Sequence, residues 1–268
     1  LLQLQSLFIH GVNSMSQTKI SFLTSDDLVA IQASKELQEK YGSYELEEAD
    51  VIVALGGDGF MLRALHDTMD LSLPVYGMNF GTVGFLMNDF SENRLINRLN
   101  SAEETVINPL TMTAHCTDGS IKTALAINEV SLIRSSSQAA KLRILIDGKE
   151  RMTELICDGA LVSTPAGSTA YNYSAHGPIL PIGADILALT AMAAYRPRRW
   201  RGAILNSEVQ ISFETLDSKK RPVSAVADSV EVENVLNVVV KSNKQIEHKL
   251  LFDPGHGLEE RLISEQFS

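Results

Sequence analysis

Three glycines and one aspartate stand together at Gly56-Gly57-Asp58-Gly59, between an apolar run at residues 51–55 and a helical pattern that starts near Phe60. Because glycine carries no side chain, several backbone N–H groups and a helix N-terminus can face a phosphate there. The carboxylate of Asp58 can then face a neighbouring hydroxyl. The segment therefore suits phosphoryl transfer to an alcohol, although a tight turn with Asp58 as a helix cap has the same composition.

A polar pair, Asn128-Glu129, interrupts two apolar runs at residues 125–127 and 130–133. Two exposed residues in a bulge or turn would explain the interruption. The alternative is a binding role, in which an amide and a carboxylate present oxygen acceptors to a ribose or to a metal ion.

A dense polar segment begins at Asp158-Gly159 and includes six hydroxyl-bearing residues before Ser174. Hydroxyl groups suit phosphate or ribose, and the rings of Tyr171 and Tyr173 suit a base or nicotinamide plane. A generic Ser/Thr-rich loop is the alternative, but loops of this chemistry are disproportionately binding sites.

Alternating strands and helices are predicted around the glycine segment. Strands are expected at residues 19–24, 51–55 and 74–78, and a parallel, helix-covered sheet binds ligands beyond the carboxyl ends of its strands. Gly42 is predicted to cap the C-terminal end of the first helix. The buried faces of the two helices are predicted to carry Val29, Ala33, Leu37 and Tyr41, and Met61, Leu62, Leu65 and Met69.

The pattern changes near residue 109, where short β-rich runs replace helical periodicity. Strands are predicted at residues 111–115, 125–127, 130–133, 142–146, 159–163, 209–213 and 235–240, and Asp147-Gly148 has the composition of a hairpin turn. A layered β domain, such as a β-sandwich, is the expected result.

Composition narrows the class of protein. The chain has 268 residues, an apolar content of 44% and a net charge of −10, which together favour two domains and disfavour a general binder of nucleic acid or anionic membranes. Cys116 and Cys157 lack the spacing of a zinc site or a disulfide framework. Residues 1–17 show no signal-peptide pattern, and the residues before Met15 are expected to be an extension or tag outside the fold. We expect a soluble, cytoplasmic protein.

The order of these motifs resembles that of bacterial NAD kinases, over roughly residues 19–252. The glycine segment is shared with lipid kinases of the diacylglycerol kinase type and resembles a loop of phosphofructokinases, whereas the later motifs look particular to NAD kinases. The matching segments are Gly56-Gly57-Asp58-Gly59, Gly77-Met78-Asn79, Gly81, Gly84-Phe85-Leu86, Asn128-Glu129 and Thr164-Pro165-Ala166-Gly167-Ser168-Thr169-Ala170-Tyr171.

The resemblance implies ATP-dependent phosphorylation of the 2′-hydroxyl of the adenosine ribose of NAD, with a divalent cation, Mg or Mn. Asp58 would be the base or orienting acceptor for that hydroxyl, and Asn128 and Glu129 would hold the adenosine end of NAD. Gly59 would lie against the ligand. Arg63 is a candidate phosphate contact or a solvated surface residue. The remaining residues expected in the dinucleotide pocket are Phe80, Asp158, Thr169, Ala170, Tyr171, Asn172, Ser174 and Ala193.

The expected fold is an α/β N-terminal domain with a parallel, Rossmann-like or phosphofructokinase-like sheet, plus a β-rich C-terminal domain of the β-sandwich type. The expected boundaries are 19–105 for the nucleotide-binding domain and 106–250 for the NAD-binding domain. Residues 251–268, with Leu258, Leu262 and Ile263 at helical spacing, are expected to pack back on the first domain. A homodimer or homotetramer is expected, with no nucleic-acid or membrane partner.

Two positions depart from the family pattern: His176, where a glycine is common, and Asp228-Ser229, where Asp-Gly is common. We assign no role to His176 and a weak one to Asp228. The basic run at residues 196–201 is either a solvated loop or subunit contact, or a phosphate or effector patch. The rival functions are a lipid or polyol kinase and a dinucleotide-binding regulatory module without turnover.

Overall fold

The computed structural model describes residues 18–80 and 84–255. Those residues form three six-stranded sheets. Residues 1–17, Gly81 and the predicted helical stretch around Leu258, Leu262 and Ile263 lie outside the described residues. None of the helices in the described part is long and apolar enough to cross a membrane.

The first sheet is parallel around the strand that leads into the glycine segment. Its neighbouring strands are β1 (Ile20–Thr24), β2 (Val51–Leu55) and β3 (Val75–Asn79), and the short β4 (Asn88–Asp89) pairs with β3. The three strands predicted in this region are confirmed to within one residue. A last strand, β18 (His248–Phe252), lies between β3 and β5 (Glu103–Ile107) and runs antiparallel to β5. The chain therefore returns to its first sheet after the two antiparallel sheets, in the last strand of the described residues.

The first helix, α1 (Leu28–Tyr41), begins where the side chain of Asp27 accepts a hydrogen bond from the Val29 N–H at 2.8 Å. It ends at Gly42, whose φ of 79° is readily adopted only by glycine. The predicted buried position of Val29 is wrong, because this side chain is 59% exposed. The buried face of α1 consists of Ala30, Ala33, Ser34 and Leu37. Val29, in the first turn of the helix, lies at the solvent-exposed edge of that face.

The second helix, α2 (Asp58–Asp67), begins at the aspartate of the glycine segment, two residues before the expected start near Phe60. Its buried residues are Met61, Ala64 and Leu65. Met69, predicted for the same face, lies beyond the helix in a short 3-10 turn. A third helix, α3 (Leu95–Ser101), leads into β5.

The other two sheets are antiparallel. The second has the order β10 (Lys149–Cys157), β9 (Ala140–Ile146), β14 (Ile211–Thr215), β17 (Val235–Ser242), β6 (Leu110–Cys116) and β7 (Ile121–Ala126). The third has the order β13 (Gly202–Asn206), β12 (Ile186–Met192), β11 (Gly159–Ser163), β8 (Glu129–Arg134), β15 (Val223–Ala227) and β16 (Val230–Val232). Apolar side chains of both sheets share one core, so the β-sandwich is confirmed.

The predicted hairpin at Asp147-Gly148 joins β9 to β10, and both residues have positive φ, 51° and 73°. Strand β12 was not predicted. Six of its seven residues are buried, so it shows none of the alternation that marks a half-exposed strand.

Candidate functional site

The carboxylate of Asp58 is held by the loop that follows β3. It accepts hydrogen bonds from the backbone N–H groups of Phe85 at 2.7 Å and Leu86 at 3.0 Å. The same loop leaves no room at Gly84, where a Cβ atom would lie 2.3 Å from Asp58 Oδ1. Each carboxylate oxygen keeps lone-pair capacity for a further donor. The two glycine-containing loops therefore meet at one carboxylate.

Three further expected site residues lie on α2 or directly after β3. A Cβ at Gly59 would have nothing within 4 Å, so this position leaves space for a ligand. Arg63 is exposed on α2, with its guanidinium 5.7 Å from the centre of the Phe60 ring. Phe80 directly follows β3, and its ring centre lies 4.3 Å from that of Phe90, with the two rings tilted by 35°. The geometry leaves both alternatives for Arg63 open.

The Asn128 segment and the Thr164 segment are in direct contact. The Thr164 N–H donates to the Asn128 carbonyl at 2.9 Å, and the Thr164 hydroxyl donates to the Ile127 carbonyl at 2.7 Å. Gly167 then donates its N–H to the Thr164 hydroxyl at 3.0 Å. A Cβ at Gly167 would lie 2.3 Å from the Asn128 carbonyl oxygen, so glycine is needed for this approach.

Glu129 is the first residue of β8, and its carboxylate accepts a hydrogen bond from the Tyr171 backbone N–H. Within residues 18–80 and 84–255, its Oε2 atom is buried and has no hydrogen-bond partner. Burial, together with the negative charge of Asp228, raises the pKa of Glu129 to about 7. This carboxylate therefore has capacity for a donor that the described residues do not supply.

An open pocket of about 640 Å³ lies beside these segments. Four of the expected site residues line it: Asp158, Tyr171, Ser174 and Ala193. Arg134, which the sequence reading missed, lines the same pocket, and its Nε donates to Asp158 Oδ1 at 2.6 Å. Arg134 is the last residue of β8, the strand that starts with Glu129, and this position is the sequence signal that could have identified it.

His176 also lines this pocket, and its φ of 62° is in the left-handed region. Glycine adopts that conformation without strain.

Asn172, expected to line the dinucleotide pocket, is fully buried instead. Its amide nitrogen donates to the carbonyls of Ser168 at 3.0 Å and Pro178 at 2.9 Å. Its amide oxygen accepts from the Thr190 hydroxyl at 2.7 Å. Asn172 therefore fixes the segment from inside, a role that sequence type alone does not distinguish from ligand contact.

Thr169 and Ala170 lie at the junction between a 3-10 turn, Ala166–Thr169, and the short helix α4 (Tyr171–Ser174). Both are partly buried. They connect the Thr164 segment to the pocket residues Tyr171 and Ser174.

Asp228 has more contacts than its weak sequence role implied. Its side chain is only 6% exposed, and it accepts hydrogen bonds from the N–H groups of Ile127 at 2.7 Å and Asn128 at 3.0 Å. It also bonds His66 Nε2, in the last turn of α2, at 2.8 Å. In the tautomer that carries its proton on Nε2, the His66 ring donates to this carboxylate. His66 was not predicted.

The basic run at residues 196–201 lies at the surface. Arg196, Arg198, Arg199 and Arg201 are exposed, and the Arg196 guanidinium lies 4.5 Å from the centre of the Tyr195 ring. Both interpretations of this run, a solvated loop or subunit contact and a phosphate or effector patch, stay predictions.

Comparisons with known proteins cover almost the whole chain. A family model described as the ATP-NAD kinase N-terminal domain matches residues 6–104, and one described as the C-terminal domain matches residues 127–247. The chain is 60% identical to the NAD kinase of Cereibacter sphaeroides strain ATCC 17025 over 94% of its length and 100% of that protein. It is 55% identical to the NAD kinase of Caulobacter vibrioides, over 94% of this chain and 96% of that protein.

Two solved structures share the fold. Yeast NADH kinase complexed with NADH matches with a TM-score of 0.77 at 21% identity, over 93% of this chain and 87% of that one. An NAD kinase from Archaeoglobus fulgidus in complex with ATP matches with a TM-score of 0.72 at 22% identity, over 92% and 97% of the two chains.

Proposed function

Because this chain belongs to the ATP-NAD kinase family, it transfers a phosphoryl group from ATP to NAD, and we propose that the loops around Asp58, Asn128 and Thr164 form the site. The acceptor is the 2′-hydroxyl of the adenosine ribose, and the product is NADP. The observation that carries the site proposal is the double attachment of the Asn128 segment. It is hydrogen-bonded directly to Thr164 and, through Asp228, to the helix that begins with Asp58.

Asp58 is proposed as the acceptor that orients the attacking hydroxyl and takes its proton. Phosphoryl transfer requires mainly positioning and charge stabilisation, so one aligned carboxylate is sufficient. The N–H groups of Phe85 and Leu86 hold that carboxylate in one orientation. Asp58 also opens α2, whose N-terminus favours a nearby phosphate.

Asn128 and Glu129 are proposed to hold the adenosine end of NAD. The unpartnered Oε2 of Glu129 can accept a hydrogen bond from a ribose hydroxyl or an exocyclic amine. The pocket beside it, lined by Asp158, Tyr171 and Ser174, supplies a ring, a hydroxyl and a charged rim for the rest of the dinucleotide. Gly59, Arg63, Phe80, Thr169, Ala170 and Ala193 remain proposed members of the site.

A divalent cation, Mg or Mn, is proposed to accompany ATP. No group of three or more His, Cys, Asp or Glu side chains that could hold a metal occurs among residues 18–80 and 84–255. This donor set fits a cation bound mainly by phosphates and water. When bound, such a cation neutralises phosphate charge.

The remaining expectations stand as proposals. They are the domain boundaries at residues 19–105, 106–250 and 251–268, a homodimer or homotetramer, and a cytoplasmic location. A net charge of −10 supports the absence of nucleic-acid or anionic membrane partners.

One assay tests the function against its rivals. Purified protein is incubated with ATP, a magnesium or manganese salt and NAD, and NADP is detected with an NADP-specific dehydrogenase. NADP should form only when ATP and NAD are both present. Phosphorylation of diacylglycerol without NADP would instead identify a lipid kinase. Tight NAD binding without turnover would identify a regulatory module.

A further inference from the structure

A buried carboxylate, Asp228, connects two parts of the protein that must act on the same substrate. It follows β15 in the turn to β16, with a φ of 47°, and its own N–H donates to the Glu129 carbonyl at 3.3 Å. Its Oδ1 accepts the Asn128 N–H, and its Oδ2 accepts the Ile127 N–H and contacts His66. One side chain thus bonds the acceptor-binding segment and α2 at the same time.

The same two parts also belong to one apolar core. Ile127 is 1% exposed and belongs to one core cluster with Met61 and Leu65 of α2. The polar contact at His66 lies one residue beyond Leu65, in the last turn of the helix. The segment at residues 127–129 therefore shares an apolar core cluster with α2 and is joined to the end of that helix through the hydrogen bond between Asp228 and His66.

Because Asp58 and His66 belong to the same helix, α2, a constraint on His66 also acts on Asp58. Asp58 is the first residue of α2 and His66 lies in its last turn, so a continuous helix of about 12 Å separates them. A hydrogen-bonded helix of this length moves as a rigid rod. Fixing His66 against Asp228 therefore fixes where Asp58 stands relative to Asn128 and Glu129.

We propose that Asp228 is a positioning residue for phosphoryl transfer: together with His66, it sets the place of Asp58 relative to the segment that holds the acceptor ribose. The inference rests on the proposed function of that segment. Neither Asp228 nor His66 needs to touch a substrate. Loss of the contact should impair alignment, and therefore kcat, more than the binding of ATP.

The test compares Asp228→Asn, His66→Leu, His66→Gln and the double variant Asp228→Asn/His66→Leu with the wild-type full chain. Glu231→Gln is the matched control, because it removes an exposed carboxylate from the neighbouring strand β16. The values of kcat, KM for NAD and KM for ATP are measured, and kcat is corrected for the folded fraction by circular dichroism at the assay temperature.

We expect His66→Leu to lower kcat by about tenfold and Asp228→Asn by about 10- to 100-fold, with KM for ATP within about threefold of wild type. His66→Gln should retain at least about a third of wild-type kcat, because its amide nitrogen can replace Nε2 as the donor. The double variant should be no more than about threefold worse than Asp228→Asn, since both changes remove one contact.

Full activity of His66→Leu would overturn the inference, as would equal losses in His66→Leu and His66→Gln. Fully multiplicative losses in the double variant, or an Asp228→Asn defect that disappears after correction for folded protein, would also overturn it. A wild-type chain that makes no NADP would instead refute the proposed function, and this inference with it. An active wild type with any of the other failures refutes the positioning role alone.

Discussion

Replacing Glu129 with glutamine should make the ligand-free protein more stable at alkaline pH while it weakens NAD binding. Burial and the charge of Asp228 raise the pKa of this carboxyl from 4.5 to about 7. The folded chain therefore binds a proton between these two values that the unfolded chain has lost. Stability contributed by this group is present at low pH and is lost as the pH rises through the window from 4.5 to 7.

The size of the effect follows from the shift. A rise of about 2.5 pKa units corresponds to about 3 kcal/mol at about 1.36 kcal/mol per unit, expressed in full above pH 7. Glutamine has nearly the same shape and carries no charge, so Glu129→Gln should regain about 3 kcal/mol at pH 8 and only about 1 kcal/mol at pH 5. For a chain of this size, 3 kcal/mol raises Tm by roughly 6 to 12 °C.

The assay is thermal unfolding of ligand-free protein at pH 5 and pH 8, with Glu233→Gln as a control that removes an exposed carboxylate. The control should change Tm by no more than about 1 °C at either pH. In parallel, KM for NAD should rise by about 10- to 100-fold in Glu129→Gln, because a hydrogen bond to an ionised acceptor is lost. A variant less stable than wild type at pH 8, or one with unchanged KM, would refute the reasoning.

Three further predictions concern neighbouring groups. Asp58→Asn should keep KM for NAD within a few-fold while kcat falls by about 10² or more, and unchanged kcat would remove Asp58 from its role. Gly84→Ala should lower kcat at least about tenfold, because the new Cβ would displace the Asp58 carboxylate, whereas Gly183→Ala, with nothing within 4 Å, should leave kcat unchanged. Burial and the nearby His66 lower the pKa of His248 from 6.5 to about 4, so its contribution is lost as pH falls through that window. Tm of His248→Asn should therefore fall less than that of wild type between pH 6.5 and 4.5.

The first sheet was largely predictable because its signals are local. Strands β1 to β3, α1 and α2 each carry their own periodicity, and the glycine segment follows β2 directly. The insertion of β18 beside β3 was not predictable in the same way. It pairs residues that lie far apart in the chain, and no periodicity within a strand specifies its partner.

The residues of the candidate site also differ in whether their sequence signal is local. Asp58, Asn128 and Glu129 were recognisable by type and neighbourhood, since each is polar at the end of an apolar run. Asp228 and Arg134 were not, because their importance lies in the hydrogen bonds they make to distant segments. Asn172 shows the opposite ambiguity: its buried amide bonds neighbouring segments, and in sequence a structural amide and a ligand-binding amide look alike.

The negative charge of Asp228 also destabilises the ionised form of Glu129, and this affects NAD binding. The charge that holds the N–H groups of Ile127 and Asn128 repels Glu129 and contributes to its raised pKa. A ligand hydroxyl that donates to Glu129 stabilises the ionised form and offsets this repulsion. NAD binding should therefore release a proton when the pH is below about 7, and KM for NAD should fall as the pH rises through that value. The residue that positions the acceptor segment thus makes acceptor binding sensitive to pH through its neighbour.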